Sequence, residues 1–208
     1  MLIAHEVYHS FRKTKRNDGW MAAKLDMEKA YDRINWCYLK DVLDRFSFDP
    51  KFVQWIMECI TTTSMSVLVN GRPTHQFKPQ RGLRQGDPLS PYLFILCSEP
   101  LARNLQFERN FNKNTIGCPI VRGGVKIPFL SFADDIIIFA NGSDNACSRL
   151  THIIEKLCSA SGQKVNYHKS SIQFSKNLSN NQKDRIKSRL SIINALSLEK
   201  YLGCPIVE

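Results

Sequence analysis

Two adjacent carboxylates, Asp134 and Asp135, stand inside an otherwise apolar stretch that runs from 130 to 139. Neighbouring side chains of a strand point to opposite faces, so a central strand would have to bury one of the two charges at considerable cost. The pattern therefore predicts a hairpin with arms at 124–130 and 136–140 and the aspartates at or beside its tip. Carboxylates held this close repel each other unless a cation compensates. For the pair taken alone, an ordinary acidic turn is the alternative.

A third carboxylate, Asp26, ends a predicted strand that begins at Trp20. It lies 134 − 26 = 108 residues before Asp134, so the two can meet only through sheet topology. Three carboxylates from two adjacent strands would make a hard-oxygen site suited to Mg²⁺. Two such ions about 4 Å apart clamp the attacking and leaving oxygens of a phosphoryl or nucleotidyl transfer. Neither stretch offers histidine or cysteine, which argues against zinc.

Two further polar features accompany these carboxylates. One is a loop at 79–88 that is rich in glycine, proline and arginine, and the other is Lys169, which follows a glycine-containing turn. His5 and His9 are four residues apart and could bind zinc on a helix, but no glutamate or cysteine completes such a site. We interpret these histidines as plain helix surface.

The elements that must position these residues follow from the apolar periodicity and the turn signals. Helices are predicted up to Phe11, after Asn35, from Pro50, from Ser90 with a kink at Pro100, from Ser143 to Gly162, and over 179–190. Strands are predicted at 20–26, at 63–69 with the turn Asn70-Gly71 and a returning arm at 75–77, at 170–174 and at 200–203. Together they indicate an α+β fold with a small antiparallel sheet backed by helices.

Composition narrows the class of protein. The chain has 208 residues, 43% of them hydrophobic and 23% charged, as is ordinary for a soluble globular protein. Its net charge of +10 favours a polyanionic partner such as nucleic acid. Seven cysteines without a C-x-x-C pair indicate reduced core thiols. Because no long apolar run is present, we predict a soluble, intracellular protein without a membrane partner, in either nucleus or cytoplasm.

Four segments, at 24–36, 81–91, 132–135 and 201–203, resemble the palm motifs of reverse transcriptases and occur in the same order. The sequence is most similar to the reverse transcriptase domain of non-LTR (LINE-type) retrotransposons, in their plant-like form. This resemblance implies an RNA-directed DNA polymerase with a right-hand polymerase palm and with fingers and thumb largely missing. We expect one partial palm domain over 1–208, with remnants of the fingers at 1–20 and 61–80 and the start of the thumb or primer grip at 199–208.

The resemblance also assigns roles to individual residues. It implies that two Mg²⁺ ions, with Mn²⁺ as a substitute, bind to the catalytic carboxylates, and that a lysine protonates the leaving pyrophosphate. The expected partners are an RNA template, a DNA primer, dNTPs and the rest of a retrotransposon polyprotein. The metal-binding and catalytic positions are Asp26, Asp134 and Asp135, with Lys169 as the catalytic lysine; the nucleotide- and template-binding positions are Tyr31, Arg84, Gln85, Gly86 and Pro88; the primer grip is Tyr201, Leu202 and Gly203.

Several alternatives stay open. Tyr31 could be a packing residue between strand and helix, Lys169 could be a solvated turn lysine, and Asp87 is expected to hold the shape of its loop. The chain as a whole could be a catalytically inactive remnant that binds nucleic acid through the basic loop Arg12 to Arg16 and through Lys183, Arg185, Lys187 and Arg189. A group II intron maturase or a telomerase-like enzyme would share the mechanism, but the four motifs fit the retrotransposon type better.

Overall fold

The computed structural model describes residues 2–14, 19–111, 115–120, 124–195, 200–201 and 204–205. The helices are α1 (Leu2–Lys13), α2 (Trp36–Arg45), α3 (Pro50–Thr61), α4 (Ser90–Phe111), α5 (Asp144–Ser161) and α6 (Asn180–Leu190). The strands are β1 (Trp20–Leu25), β2 (Leu68–Val69), β3 (Arg72–Pro73), β4 (Cys118–Pro119), β5 (Lys126–Ile127), β6 (Phe129–Phe132), β7 (Asp135–Asn141), β8 (Ser171–Phe174), β9 (Asn194–Ala195), β10 (Lys200–Tyr201) and β11 (Cys204–Pro205).

A five-stranded sheet in the order β6-β7-β1-β8-β9 positions the carboxylates. In its centre, β1 pairs with β7 from Trp20↔Asn141 to Leu25↔Ile136, and with β8 on its other side. These pairings are antiparallel, whereas β8 and β9 run parallel at the edge. The predicted α+β fold with a small antiparallel sheet is confirmed, with this one parallel pair as the difference.

The two faces of the sheet are covered by different helices. On one face, Val7, Tyr8 and Phe11 of α1 form a buried cluster with Trp20 and Ala22 of β1. Ala23 and Leu25 alternate to the opposite face and line a small cavity together with Leu150 and Ile154 of α5. The face under α1 is thus apolar at Trp20 and Ala22 and becomes polar at Lys24, which follows them on the same face.

The chain divides into two compact units. The first comprises residues 1–27, 101–156 and 165–208 and contains the central sheet, and the second comprises 28–100 and 157–164. In the second unit α2 begins where the Asn35 side chain accepts a hydrogen bond from Cys37 N, and α3 begins after the Asp49 cap with Pro50 in its first turn. Both predicted helix starts are confirmed, while the expectation of one partial palm domain stays a prediction.

The remaining helix boundaries also agree with the sequence. The Ser143 hydroxyl accepts a hydrogen bond from Ala146 N at the start of α5, and Gly162 follows the end of that helix with a φ of +75°. A capping box formed by Ser179 and Gln182 begins α6. Pro100 lies inside α4, which continues from Ser90 to Phe111.

Two predicted strands differ from those observed. The first arm of the hairpin that carries Asp134 and Asp135 is Phe129–Phe132 rather than 124–130, because Lys126–Ile127 pairs with Cys118–Pro119 in a separate ladder. Pro128 separates the two strands, since it has no N–H to donate and serves the sheet only as an acceptor for Phe139 N. The predicted strand at 63–69 is reduced to Leu68–Val69 and an isolated bridge between Met65 and Phe77.

The cysteines are free thiols wherever their side chains are described. Cys97, Cys118 and Cys147 are buried, as the sequence predicted, whereas Cys37 and Cys59 are exposed. None of the helices in the described part of the chain is long and apolar enough to cross a membrane.

Candidate active site

The hairpin of β6 and β7 presents the adjacent carboxylates. Phe132 pairs with Asp135, which leaves Ala133 and Asp134 as the two residues of the turn. Ala133 has a φ of +51°, in the left-handed region that such two-residue turns require at a central position. Asp134 is exposed and Asp135 is half-buried. The predicted placement of both aspartates at the tip of a hairpin is confirmed.

The register of β1 and β7 brings Asp26 to the same end of the ladder. The last paired positions are Leu25 and Ile136, so the next residues outward on the two strands are Asp26 and Asp135. Residues 108 positions apart in the chain, 26 and 134, are thus carried by neighbouring strands, as the sequence predicted. The metal-binding role of the three aspartates stays a prediction.

The main chain of Asp26 is held by the turn that carries Lys169. Asn166 N donates to Asp26 O at 2.8 Å, and Asp26 N donates to the Ser170 hydroxyl at 3.0 Å. The same hydroxyl donates to Asn166 O at 2.8 Å, which closes a compact network around a fully buried serine. The Lys169 side chain lies exposed on this turn. Its turn therefore adjoins Asp26, and its proton-donor role stays a prediction.

Lys24 is a residue of this site that the sequence reasoning missed. Its Nζ lies 2.8 Å from Oδ1 of Asp135, with the two side chains 35% and 39% exposed. Asp26 comes directly after β1, two positions after Lys24, so continued alternation would place it on the same face as Lys24. The available signal was a single charged residue inside an otherwise apolar strand, directly upstream of a candidate ligand.

The donor set fits a hard divalent cation such as Mg²⁺. Carboxylate oxygens are its preferred protein ligands, and Asp135 already accepts a cationic group, the Lys24 ammonium. Within the described residues, no group of three or more His, Cys, Asp or Glu side chains is arranged to hold a metal ion on its own. Mg²⁺ commonly binds through one or two carboxylates together with substrate phosphates and water, so a complete protein cage is not required.

In the second unit, the loop that contains Arg84 to Pro88 is fastened to the segment that follows Asp26. Gly82 N donates to Ile34 O at 2.7 Å and Leu83 N donates to Tyr31 O at 2.9 Å. Trp36 Nε1 donates to Gly82 O at 2.8 Å. A β-carbon at Gly82 would come within 2.6 Å of the main-chain oxygen of Asp32, so this approach requires glycine.

The same loop opens into a cavity of about 450 Å³, whose lining includes Arg84 and Gln85. Gly86 and Pro88 are exposed. Asp87 accepts a hydrogen bond from Leu89 N at 2.8 Å and thereby shapes the start of α4, as expected for a residue that holds the loop. The nucleotide- and template-binding roles of Arg84, Gln85, Gly86 and Pro88 stay predictions.

The remaining predicted positions are placed as follows. The Tyr31 ring stacks on Phe94 with 4.5 Å between centroids and 7° between planes, which is the packing role left open by the sequence. Tyr201 belongs to a short ladder with Cys204, while Leu202 and Gly203 lie outside the described residues. Of the alternative basic surface, Lys15 and Arg16 also lie outside the described residues, and Arg185 and Arg189 pair with Asp144.

Comparison with known proteins gives a consistent result. A family profile described as "Reverse transcriptase (RNA-dependent DNA polymerase)" matches residues 3–206. The chain is 29% identical over 171 residues to the Transposon TX1 uncharacterized 149 kDa protein of Xenopus laevis, covering 82% of the chain and 12% of that protein. It is 31% identical over 137 residues to a Pol polyprotein from the type-1 retrotransposable element R2 of Popillia japonica, covering 66% of the chain and 21% of that protein.

Among solved structures, a telomerase from Candida albicans in complex with a fragment of telomeric RNA has a similar fold. The TM-score is 0.62 at 16% identity, over 86% of this chain and 30% of the telomerase chain. The chain thus spans a small fraction of the length of the proteins it matches. The expected plant-like form is not borne out by the two retrotransposon relatives, which come from a frog and a beetle.

Proposed function

The chain belongs to the reverse transcriptase (RNA-dependent DNA polymerase) family, and we propose that it forms the catalytic palm of an RNA-directed DNA polymerase within a non-LTR retrotransposon polyprotein. In the proposed reaction, the 3′-hydroxyl oxygen of a DNA primer forms a bond to the α-phosphorus of a dNTP selected by an RNA template. The bond from that phosphorus to the leaving oxygen breaks, pyrophosphate departs, and the proton of the attacking hydroxyl passes to water. Such catalysis consists mainly of positioning and electrostatic stabilisation.

Each candidate residue has a defined task in this proposal. Asp26, Asp134 and Asp135 would hold two Mg²⁺ ions, which when bound lower the charge on the attacking and leaving oxygens. Lys169 would donate a proton to the pyrophosphate oxygen as it leaves. Arg84 and Gln85, with the main chain at Gly86 and Pro88, would contact nucleotide and template, and Tyr31 would lie beneath the incoming sugar. Tyr201 to Gly203 would support the primer end.

The single observation that carries the proposal is the register of the central sheet. It sets Asp26 next outward from the β1–β7 ladder, opposite Asp135, in a chain matched to this family over nearly its whole length. A net charge of +10 supports binding to a polyanionic template and primer. The hydrogen bonds from the 166–170 turn further fix the main chain at Asp26.

Primer extension on an RNA template tests the proposal. The assay is run on the 208-residue chain and on a chimera that adds fingers and thumb from a related element. We expect Mg²⁺-dependent dNTP incorporation by the chimera, and a loss of at least about 100-fold in Asp134→Ala because charge stabilisation is removed. Asp184→Ala, at an exposed position on α6, is the matched carboxylate control and should retain full activity.

Two outcomes would contradict the proposal. Equal incorporation by the Asp134→Ala chimera would show that the metal site is wrongly assigned. Salt-dependent binding of RNA or primer-template without any incorporation by the intact chimera would favour the alternative, a catalytically inactive remnant that binds nucleic acid.

A further inference from the structure

Lys24 is the one charged side chain of β1, whose other residues are apolar. It lies in the central strand, with β7 on one side and β8 on the other. Its Cα partners are Ile137 on β7 and Ser171 on β8, and Ser171 is buried. With ordered strands on both sides, the side chain has few directions open to it along this face.

The register explains why the Lys24 ammonium reaches Asp135. Asp135 lies two residues before Ile137, so Lys24 and Asp135 are diagonal neighbours on one face of the β1–β7 ladder. This separation is within reach of a long side chain. The observed contact, 2.8 Å from Nζ to Oδ1, therefore follows from the backbone pairing and fixes the direction of the Asp135 carboxylate.

Two further aspartates lie close to this ion pair along the chain. Asp134 directly precedes Asp135, and Asp26 comes directly after β1, two residues after Lys24. A fixed positive charge there offsets the mutual repulsion of the aspartates before any other cation arrives. The same charge repels an incoming divalent cation, which lowers the affinity of the carboxylates for it.

We propose that Lys24 is a positioning residue that holds Asp135 in place and acts as a built-in counter-ion, so that it sets how tightly the aspartates bind Mg²⁺. The inference rests on the proposed metal-binding role of Asp135. Lys24 restrains the hairpin tip in the metal-free protein, and Mg²⁺ binds against its charge. Removing the charge should therefore tighten Mg²⁺ binding while it loosens the metal-free protein.

A second lysine–aspartate pair provides a matched control. In α2, Lys40 Nζ lies 2.7 Å from Asp44 Oδ2, in an exposed i,i+4 pair that belongs to the second unit. The distance from the ammonium nitrogen to the carboxylate oxygen is nearly the same as that between Lys24 and Asp135. Lys40→Met thus removes a comparable ion pair in which none of the three candidate metal ligands takes part.

The test is a calorimetric titration of the 208-residue chain with MgCl₂ at constant ionic strength. We expect Lys24→Met to bind Mg²⁺ about 3-fold more tightly than the unaltered chain, the scale of one partly exposed ion pair. Lys24→Arg and Lys40→Met should bind as the unaltered chain does. In the presence of EDTA, Lys24→Met should melt about 2 °C lower, and Mg²⁺ should raise its melting temperature by more than that of the unaltered chain. If Lys24→Met does not fold, Lys24→Gln takes its place in both measurements.

A double-substitution cycle localises the effect. In the background of Asp135→Asn, Lys24→Met should change the affinity for Mg²⁺ by less than it does in the unaltered chain, because the carboxylate that Lys24 contacts is gone and only the direct repulsion between Lys24 and the cation remains. An effect of the same full size in that background would overturn the proposal that Lys24 acts by holding Asp135. Suppose that Asp134→Asn weakens Mg²⁺ binding, as the metal site predicts. If Lys24→Met and Lys24→Gln then bind Mg²⁺ no more tightly than the unaltered chain, the role of Lys24 alone is overturned. If saturable Mg²⁺ binding is absent, or if Asp26→Asn and Asp134→Asn leave it unaffected, the metal site and this proposal are overturned together.

Discussion

At the scale of single residues, Asp26 is fixed through its main chain. The fully buried Ser170 hydroxyl accepts the Asp26 N–H and donates to Asn166 O, while Asn166 N donates to Asp26 O. A carboxylate at the end of a strand would otherwise be free to change its backbone direction. The turn at 166–170 therefore orients the aspartate before any ligand binds, which is what a preorganised site requires.

Replacing Ser170 should destabilise the protein more than an ordinary serine replacement does. In Ser170→Ala, the Asp26 N–H and the Asn166 carbonyl both lose a partner in a poorly solvated place, so we expect the free energy of unfolding to fall by about 1–3 kcal/mol. Ser98→Ala removes a hydroxyl that donates to Phe94 O within α4. We expect it to change the free energy of unfolding by less than about 0.5 kcal/mol. Urea unfolding measures both, and equal losses would contradict the role given to Ser170.

The sequence identified some residues of this site but not others, for a physical reason. Asp134, Asp135 and Asp26 stand out because a charge beside an apolar strand is costly to bury, so its position calls for an exposed turn or a cation. The contact of Lys24 with Asp135 depends on strand register, and that of Ser170 with Asp26 depends on the path of a turn. Neither can be read from spacing along the chain, because both partners are distant in sequence.

At the scale of elements, the loop before α4 is held by main-chain contacts. Gly82 and Leu83 donate to carbonyls at Ile34 and Tyr31, and Asp87 shapes the first turn of α4. Caps at Asn35 and Asp49 were sufficient to predict where α2 and α3 begin. The Asn70-Gly71 signal predicted its turn, but the strands on either side are shorter than predicted, at Leu68–Val69 and Arg72–Pro73. The first arm of the β6–β7 hairpin was predicted too early in the chain, because the acceptor-only role of Pro128 appears only once the strands are paired.

Two glycines of this loop should respond differently to alanine. Gly82 and Gly86 have φ values of +91° and +85°, so either substitution forces a left-handed conformation that costs about 1–2 kcal/mol. Only at Gly82 does the new β-carbon meet backbone, 2.6 Å from Asp32 O, whereas at Gly86 the surrounding space is open. We expect Gly82→Ala to lower the free energy of unfolding by about 1–3 kcal/mol more than Gly86→Ala. Similar losses in denaturant unfolding would contradict the close approach at Gly82.

At the scale of the whole molecule, the family could be recognised from sequence because its motifs are short, polar and ordered along the chain. The division into two compact units could not be predicted from the sequence. Its boundaries at 100/101 and 156/157 fall inside α4 and α5, so no linker composition marks them. Burial was also only partly predictable: apolar neighbours in the sequence predict core thiols, yet the Cys37 and Cys59 side chains are exposed.

The buried thiols give the whole chain a defined response to alkaline pH. Burial raises the pKa of Cys97 and of Cys118 to about 12 each, and that of Cys147 to about 11. An unfolded chain releases these protons near pH 8.5. Between that pH and about 11, the folded protein therefore holds protons that the unfolded chain has lost. The free energy of unfolding is therefore highest below about pH 8.5. It falls as the pH rises above that value, by up to about 1.4 kcal/mol per pH unit for each thiol.

Urea unfolding at a series of pH values between 7 and 10.5 measures this slope. Cys118→Ala removes one buried thiol and should make the fall in the free energy of unfolding shallower by up to about 1.4 kcal/mol per pH unit. Ser98→Ala removes no titratable group and should leave the slope as it is in the unaltered chain. If Cys118→Ala also leaves the slope unchanged, burial of the Cys118 thiol does not govern its proton affinity.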